Sequence, residues 1–192
     1  MAEVLVIKGS TRAGGNTDVL ADAAAEGAAA TGHEVTMLTL REHHFSGCIH
    51  CGGCTRDGRC HVTDAMQDIF KLLDRADHVV LAAPMFFMSL PWNVKAMIDR
   101  CQMYWARQYV LKQASGRVHP GGNCLALLVG GTDFKTLFDA PTLVLRAWCH
   151  SLEMKLHLGL TLRKIDAKGD VAKHTEFLSE ARELGGRIAE LG

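Results

Sequence analysis

The sequence predicts an α/β fold: a doubly wound, five-stranded parallel sheet in the spatial order 2-1-3-4-5, with helices on both faces. Three observations predict it. Apolar, often β-branched runs alternate with helical periodicity in the order β-α-β-loop-α-β-α-β-α-β-α. Apart from one stretch at 41–62, the connections are short, as between crossover units of one sheet. The first strand run, Glu3–Lys8, reads as apolar on both faces, which fits a central parallel strand. With 192 residues, no internal repeat and no linker-like tract, the chain is expected to form one domain over residues 1–192.

The elements follow in order. Glu3–Lys8 (EVLVIK) reads as the first strand, ending at Gly9. Asn16 or Thr17 is expected to cap an alanine-rich helix that runs to about Thr31 and stops at Gly32. Val35–Leu40 is strand two. Residues 41–62 show no periodicity and carry Gly, His and Cys, so they form a long loop. A helix then starts near Thr63 or Asp64, with Met66, Ile69, Phe70 and Leu73 as its core face. His78–Ala83 is strand three, stopped by Pro84. Pro91 suits the first turn of the next helix, whose inner face carries Val94, Met97, Ile98, Cys101 and Tyr104. After the polar connection Ser115–Asn123, Cys124–Val129 is strand four, ended by Gly130-Gly131. Pro141 opens a helix to about His150, Met154–Leu162 is strand five, and Val171–Leu191 is expected as one closing helix. Five strands in one such domain favour the flavodoxin-like order, which binds its ligand at the carboxyl ends of the strands.

Composition excludes several functions. Lys plus Arg and Asp plus Glu each total 21, so the formal charge is zero. Nucleic-acid binding and adhesion to anionic lipid both need excess cation, and neither is expected. The longest apolar run, Val79–Met88, has ten residues. A bilayer span needs about 20, so no membrane helix is expected. The start MAEVLVIKGS does not read as a secretory signal, and a cytoplasmic location is expected.

Three loops should converge on one crevice. The first, GSTRAGGNT, offers the hydroxyls of Ser10, Thr11 and Thr17, the Asn16 amide, and the N–H groups of a helix start, all suited to a phosphate. It is neither a P-loop nor G-x-G-x-x-G, so a monophosphate fits it better than a nucleoside triphosphate or a dinucleotide. The second, PMFFMSLPW, supplies apolar walls for a flat aromatic ligand, or a subunit contact. The third, GGTDFK, lets a ring approach backbone at its glycines.

The sharpest signal is Cys48-x2-Cys51-x2-Cys54-x5-Cys60. Two-residue spacing lets successive thiolates face one centre, and Gly52, Gly53 and Gly58 let the loop wrap tightly. The compact spacing favours a [4Fe–4S] cluster; zinc and redox or structural thiols are the alternatives. His43, His44, His50 and His61 read as solvated loop histidines, and Cys101, Cys124 and Cys149 as buried structural thiols.

Taken together, GSTRAGGNT, CIHCGGCTRDGRC followed by VTDAMQDI, and APMFFMSLPWNVKAMIDR resemble the iron–sulfur flavoprotein branch of the NADPH-dependent FMN reductase-like family. The resemblance runs from Val4 to about Ala140. It implies FMN in the three-loop crevice, a [4Fe–4S] cluster near a flavin across a subunit boundary, and a homodimer or homotetramer. By position, Ser10, Thr11, Arg12, Asn16 and Thr17 would hold the phosphate. Pro84, Met85, Phe86 and Phe87 would line the ribityl chain and ring, Gly131 and Thr132 would close the other side, and Cys48, Cys51, Cys54 and Cys60 would ligate the cluster. The implied activity is FMN-dependent electron transfer between NAD(P)H or ferredoxin and an acceptor, with no catalytic side chain because the chemistry belongs to the flavin. The rival readings are a flavin- or metal-binding sensor without turnover and a zinc-stabilised flavin reductase.

Overall fold

The computed structural model describes residues 1–191. Strands β1 (Glu3–Lys8), β2 (Glu34–Thr39), β3 (His78–Pro84), β4 (Asn123–Val129) and β5 (Lys155–Leu162) form one sheet in the order β2-β1-β3-β4-β5. Every pairing is parallel. The expected order and the expected strands are therefore present, with ends moved by a residue or so.

Burial on both faces explains why the three central runs, β1, β3 and β4, are strands, while β2 and β5 at the edges stay partly exposed. Leu5, Ile7, Val79, Leu81, Cys124 and Ala126 point into one core. Their neighbours Val4, Val6, Val80, Ala82, Leu125 and Leu127 point into the other. β4 is buried along its whole length, as befits a strand covered by helices on both sides.

The helices are α1 (Asn16–Ala30), a single turn α2 (Cys54–Asp57), α3 (Met66–Arg75), α4 (Trp92–Arg100), α5 (Gln102–Trp105), α6 (Asp139–Ser151) and α7 (Thr175–Gly186). The predicted inner faces of α3 and α4 are buried at Met66, Ile69, Phe70, Leu73, Val94 and Met97. α5 runs into one π-helical turn, Ala106–Val110. Among the described residues, no helix is long and apolar enough to cross a membrane.

Several local expectations change: the helix expected near Thr63 or Asp64 starts at Met66, and the one expected to carry Tyr104 is interrupted at Cys101, where ψ is 1°. The cap of α1 is Gly15, not Asn16 or Thr17; both of those lie inside the first turn. The closing helix is broken into Val171–Lys173, α7 and Ile188–Glu190. Its periodicity is real, but His174 leaves helical geometry with φ −112° and ψ 80°. α7 meets α1 through glycines: a Cβ on Gly27 would lie 1.8 Å from the Arg182 carbonyl oxygen, and one on Gly185 2.0 Å from that of Ala24. Those two positions let the backbones touch, which places α1, and with it the first loop, firmly on the sheet.

Candidate functional site

The three predicted loops do meet at the carboxyl ends of the strands, joined by a fourth after β5. Ser10, Thr11, Arg12, Gly15, Asn16 and Thr17 form the polar end of a crevice there. Pro84, Met85, Phe86, Val129 and Gly131 form the more apolar end, and Ile165 and Asp166 complete the wall. Phe87 and Thr132 do not line it. Ile165 and Asp166 had no signature in the sequence.

The first loop is held by its own side chains. The Ser10 hydroxyl accepts the Arg12 N–H (3.0 Å) and donates to the Arg12 carbonyl (3.1 Å). Asp18, buried one turn into α1, accepts the Gly14 N–H at 2.9 Å. Arg41 neutralises that carboxylate at 3.0 Å and also reaches the Ser10 carbonyl at 3.3 Å. Asn16 is committed elsewhere. Its amide donates to the Ala167 carbonyl (2.9 Å), and its oxygen accepts the N–H groups of Gly169 (3.1 Å) and Val171 (3.2 Å). It therefore clamps the β5 loop to α1. The first helical bond runs from the Asp18 N–H to the Gly15 carbonyl (3.0 Å). The N–H groups of Asn16 and Thr17 precede that bond and are the kind a helix start offers an anion.

The second loop reverses direction in one tight turn. Phe86 and Ser89 exchange backbone hydrogen bonds of 2.9 Å each. The residues between them, Phe87 and Met88, both have positive φ, 48° and 61°. That geometry swings Phe87 into solvent, fully exposed. The apolar run could be read in the sequence; the turn inside it could not.

A second cavity lies over the cysteine loop, lined by Cys48, Cys51, Cys54 and Cys60 together with His50, His61 and Arg100. Gly52 and Gly58, at φ 72° and 74°, turn the chain around it. His61 is not simply solvated: its Nε2 pairs with Asp57 at 2.8 Å. Burial, followed by repulsion from Cys48, pushes the Cys54 thiol above its ordinary range, with Cys60 and Cys51 adding to it. Among the described residues, no three His, Cys, Asp or Glu side chains are gathered tightly enough to hold one metal ion.

Two arginines that the sequence did not single out hold this loop against the α4–α5 segment. Arg107 donates to the Gly58 carbonyl at 2.7 Å. Arg100, whose side chain is fully buried, pairs with Asp64 at 2.8 Å. Burial alone would raise the Asp64 carboxyl; hydrogen bonds from Arg100 and from the N–H groups of Ser46 and Met66 outweigh it and hold the group below its usual value. The remaining cysteines are buried thiols. Cys101 accepts the Trp148 indole N–H at 3.3 Å and is pushed up to about 12 by burial. Contact with Cys149, with burial, pushes Cys124 up as well.

The chain is similar to known proteins in sequence and in fold. The family described as NADPH-dependent FMN reductase matches residues 2–135. Over 184 residues the chain is 30% identical to an iron–sulfur flavoprotein of Archaeoglobus fulgidus, covering 96% of this chain and 77% of that one. It is 32% identical over 98 residues to an iron–sulfur flavoprotein of Methanocaldococcus jannaschii, and the match spans 51% of each chain, about half of that relative's length. In fold it is similar to the NAD(P)H:quinone oxidoreductase from Methanothermobacter marburgensis, with a TM-score of 0.71 and 15% identity over 97% of this chain and 96% of that one.

Proposed function

Because the chain belongs to the iron–sulfur flavoprotein and NADPH-dependent FMN reductase-like family, we propose that it is an FMN-dependent oxidoreductase. In this reading it carries a [4Fe–4S] cluster and moves electrons from NADPH or NADH, with reduced ferredoxin as the alternative donor, to an acceptor. The observation that carries the reading is the polarity of the crevice. One end is a loop and helix start suited to an anion; the other is apolar side chain and bare backbone suited to a flat ring.

Thr11, Arg12 and Thr17, with the first N–H groups of α1, hold the phosphate, and Ser10 shapes the loop around it through its two bonds to Arg12. Pro84, Met85, Phe86 and Gly131 border the ring. A Cβ on Gly131 would lie 2.8 Å from the Asp166 carboxylate, so glycine keeps that wall open. Asn16 acts indirectly, by fixing the loop that brings Ile165 and Asp166 to the crevice. Bound FMN would supply the hydride and single-electron chemistry. The chain orients the coenzyme and shields one end of it from water.

The four cysteines fit a cluster because all four border one cavity. Zinc, about 2.3 Å from each sulfur, is the alternative occupant of the same four thiols. A four-iron cluster instead takes one thiolate at each corner and would pass electrons singly. Exposed Phe87, Trp92 and Phe134 support assembly of copies into a homodimer or homotetramer. Seven unpaired cysteines accord with a reducing, cytoplasmic compartment.

Anaerobic purification followed by FMN titration, metal and sulfide analysis, and NAD(P)H oxidation with an artificial acceptor tests the reading. The expected protein binds FMN, contains about four irons and four sulfides per chain, and turns over. Failure to bind FMN overturns the reading, and one zinc per chain overturns its cluster.

A further inference from the structure

The guanidinium of Arg100 lies at the end of α4 with its side chain wholly out of solvent. An arginine has five N–H donors, and burying any of them unpaired is costly. Here all five find acceptors. Nε donates to the Cys60 sulfur at 3.1 Å. Nη1 donates to the Ser46 carbonyl (3.0 Å) and to Asp64 Oδ2 (2.8 Å). Nη2 donates to the Val62 carbonyl (2.9 Å) and to Asp64 Oδ1 (3.2 Å). Asp64 also accepts the backbone N–H groups of Ser46 and Met66, each at 3.0 Å.

These contacts have a pattern. Ser46 precedes the first of the four cysteines, and Val62 and Asp64 follow the last. One side chain therefore closes the base of the cysteine loop from both ends and anchors it to α4. It also places a charged donor on one of the four sulfurs. An N–H bond to a ligating sulfur withdraws electron density and favours the more reduced, more negative state of what that sulfur holds. Asp64 offsets the same positive charge from the opposite side.

We propose that Arg100 is a positioning residue that fixes the cysteine loop and, through its bond to Cys60, raises the reduction potential of the group the four cysteines hold, with Asp64 setting how much of its charge is felt. The proposal rests on the reading of those thiols as ligands of an iron–sulfur cluster. It gives Arg100 and Asp64 opposite effects, which a purely structural pair would not have.

The test is a redox titration of anaerobically prepared, iron-replete protein with dithionite, followed by electron paramagnetic resonance. FMN fluorescence quenching and circular dichroism serve as controls for the crevice and the fold. In Arg100→Gln, the ratio of reduced to oxidised cluster at a fixed potential falls about tenfold, equivalent to about 59 mV for one electron. In Asp64→Asn the ratio rises instead. If Arg100→Gln does not fold or loses its iron, Asp64→Asn alone decides the matter, because its expected shift is upward. An unchanged ratio, or the same direction of shift in both variants, overturns the proposal while leaving the cluster in place. Wild-type protein without iron and sulfide overturns the cluster reading, and this proposal with it.

Discussion

The crevice and the cysteine cavity stand on the same chain but are made in different ways. The crevice is a consequence of the sheet: strands β1, β3, β4 and β5 deliver their loops to one edge, and much of its wall is backbone. The cysteine loop also leaves the sheet, after β2 and the turn Leu40–Glu42, but the sheet does not shape it. It is an irregular segment with one helical turn and two left-handed glycines, fastened from outside by arginines of the α4–α5 segment. A site made by topology tolerates changes of side chain. A site made by attachment depends on its fasteners. The two should therefore fail separately.

The largest effect tests that separation directly. Cys51→Ser removes a proposed ligand without touching the crevice, so iron is lost almost completely while FMN affinity stays within about twofold. Iron assay and flavin fluorescence read both quantities in one preparation. Loss of both together would show that the loop is part of the flavin site, and the comparison would collapse.

Next in size is the fastening of the loop. Asp64→Ala leaves the buried Arg100 charge without its partner, at a cost of about 3 kcal/mol in the apoprotein. The sign with pH follows from the depressed carboxyl. Its contribution to stability is present above the ordinary value of 3.8 and is lost as pH falls through the lower folded value. Denaturant titrations of wild type should therefore weaken as pH drops below 3.8, and the Ala variant should lack that component of the slope. Equal slopes would mean that Asp64 does not fasten the loop.

The matching change in the crevice is smaller. Thr17, buried at the start of α1, is proposed to donate its hydroxyl to the phosphate. Thr17→Val keeps the shape and removes the donor. A hydrogen bond to a charged group is worth about 1.5–3 kcal/mol, so the dissociation constant for FMN rises at least about tenfold. Iron content stays unchanged. An unaltered affinity would move the phosphate away from this helix start.

What could be read in the sequence follows the same division. The central strands announce themselves because both faces are apolar, and the inner faces of α3 and α4 because their periodicity is clean. The cysteines are visible by spacing. Arg100 is not, because at the end of NVKAMIDR it reads as a cation favourably placed at a helix C-terminus. Only the tertiary fold reveals that its partner is Asp64, 36 residues upstream. Asn16 looks like a cap in the sequence, but its partners lie 151 to 155 residues further along the chain, in the loop after β5. Ile165 and Asp166 follow β5 with no motif, so nothing local marks them. The closing helix shows a true periodicity, yet α7 ends at Gly185-Gly186, where it must touch α1. In each case the missing information is a long-range contact, which one stretch of sequence does not contain.

The smallest effect concerns the one aromatic ring the sequence places in the crevice and the structure places outside it. Phe87 has φ 48°, a left-handed conformation that costs an ordinary residue about 1–2 kcal/mol and glycine nothing. Its ring is fully exposed, so removing it forfeits no buried surface within this chain. Glycine gains conformational freedom in the unfolded state, which returns part of the benefit, about 0.4–1 kcal/mol. Phe87→Gly should therefore stabilise the isolated chain by up to about 1 kcal/mol, a rise in Tm of about 2–4 °C for a domain of this size. FMN affinity should not change, because Phe86, not Phe87, borders the crevice. A tenfold loss of affinity would return the ring to the flavin. A loss of assembly at unchanged affinity would instead assign the strained turn to the contact between copies, and the exposure of Phe87 would then be the reason for the strain.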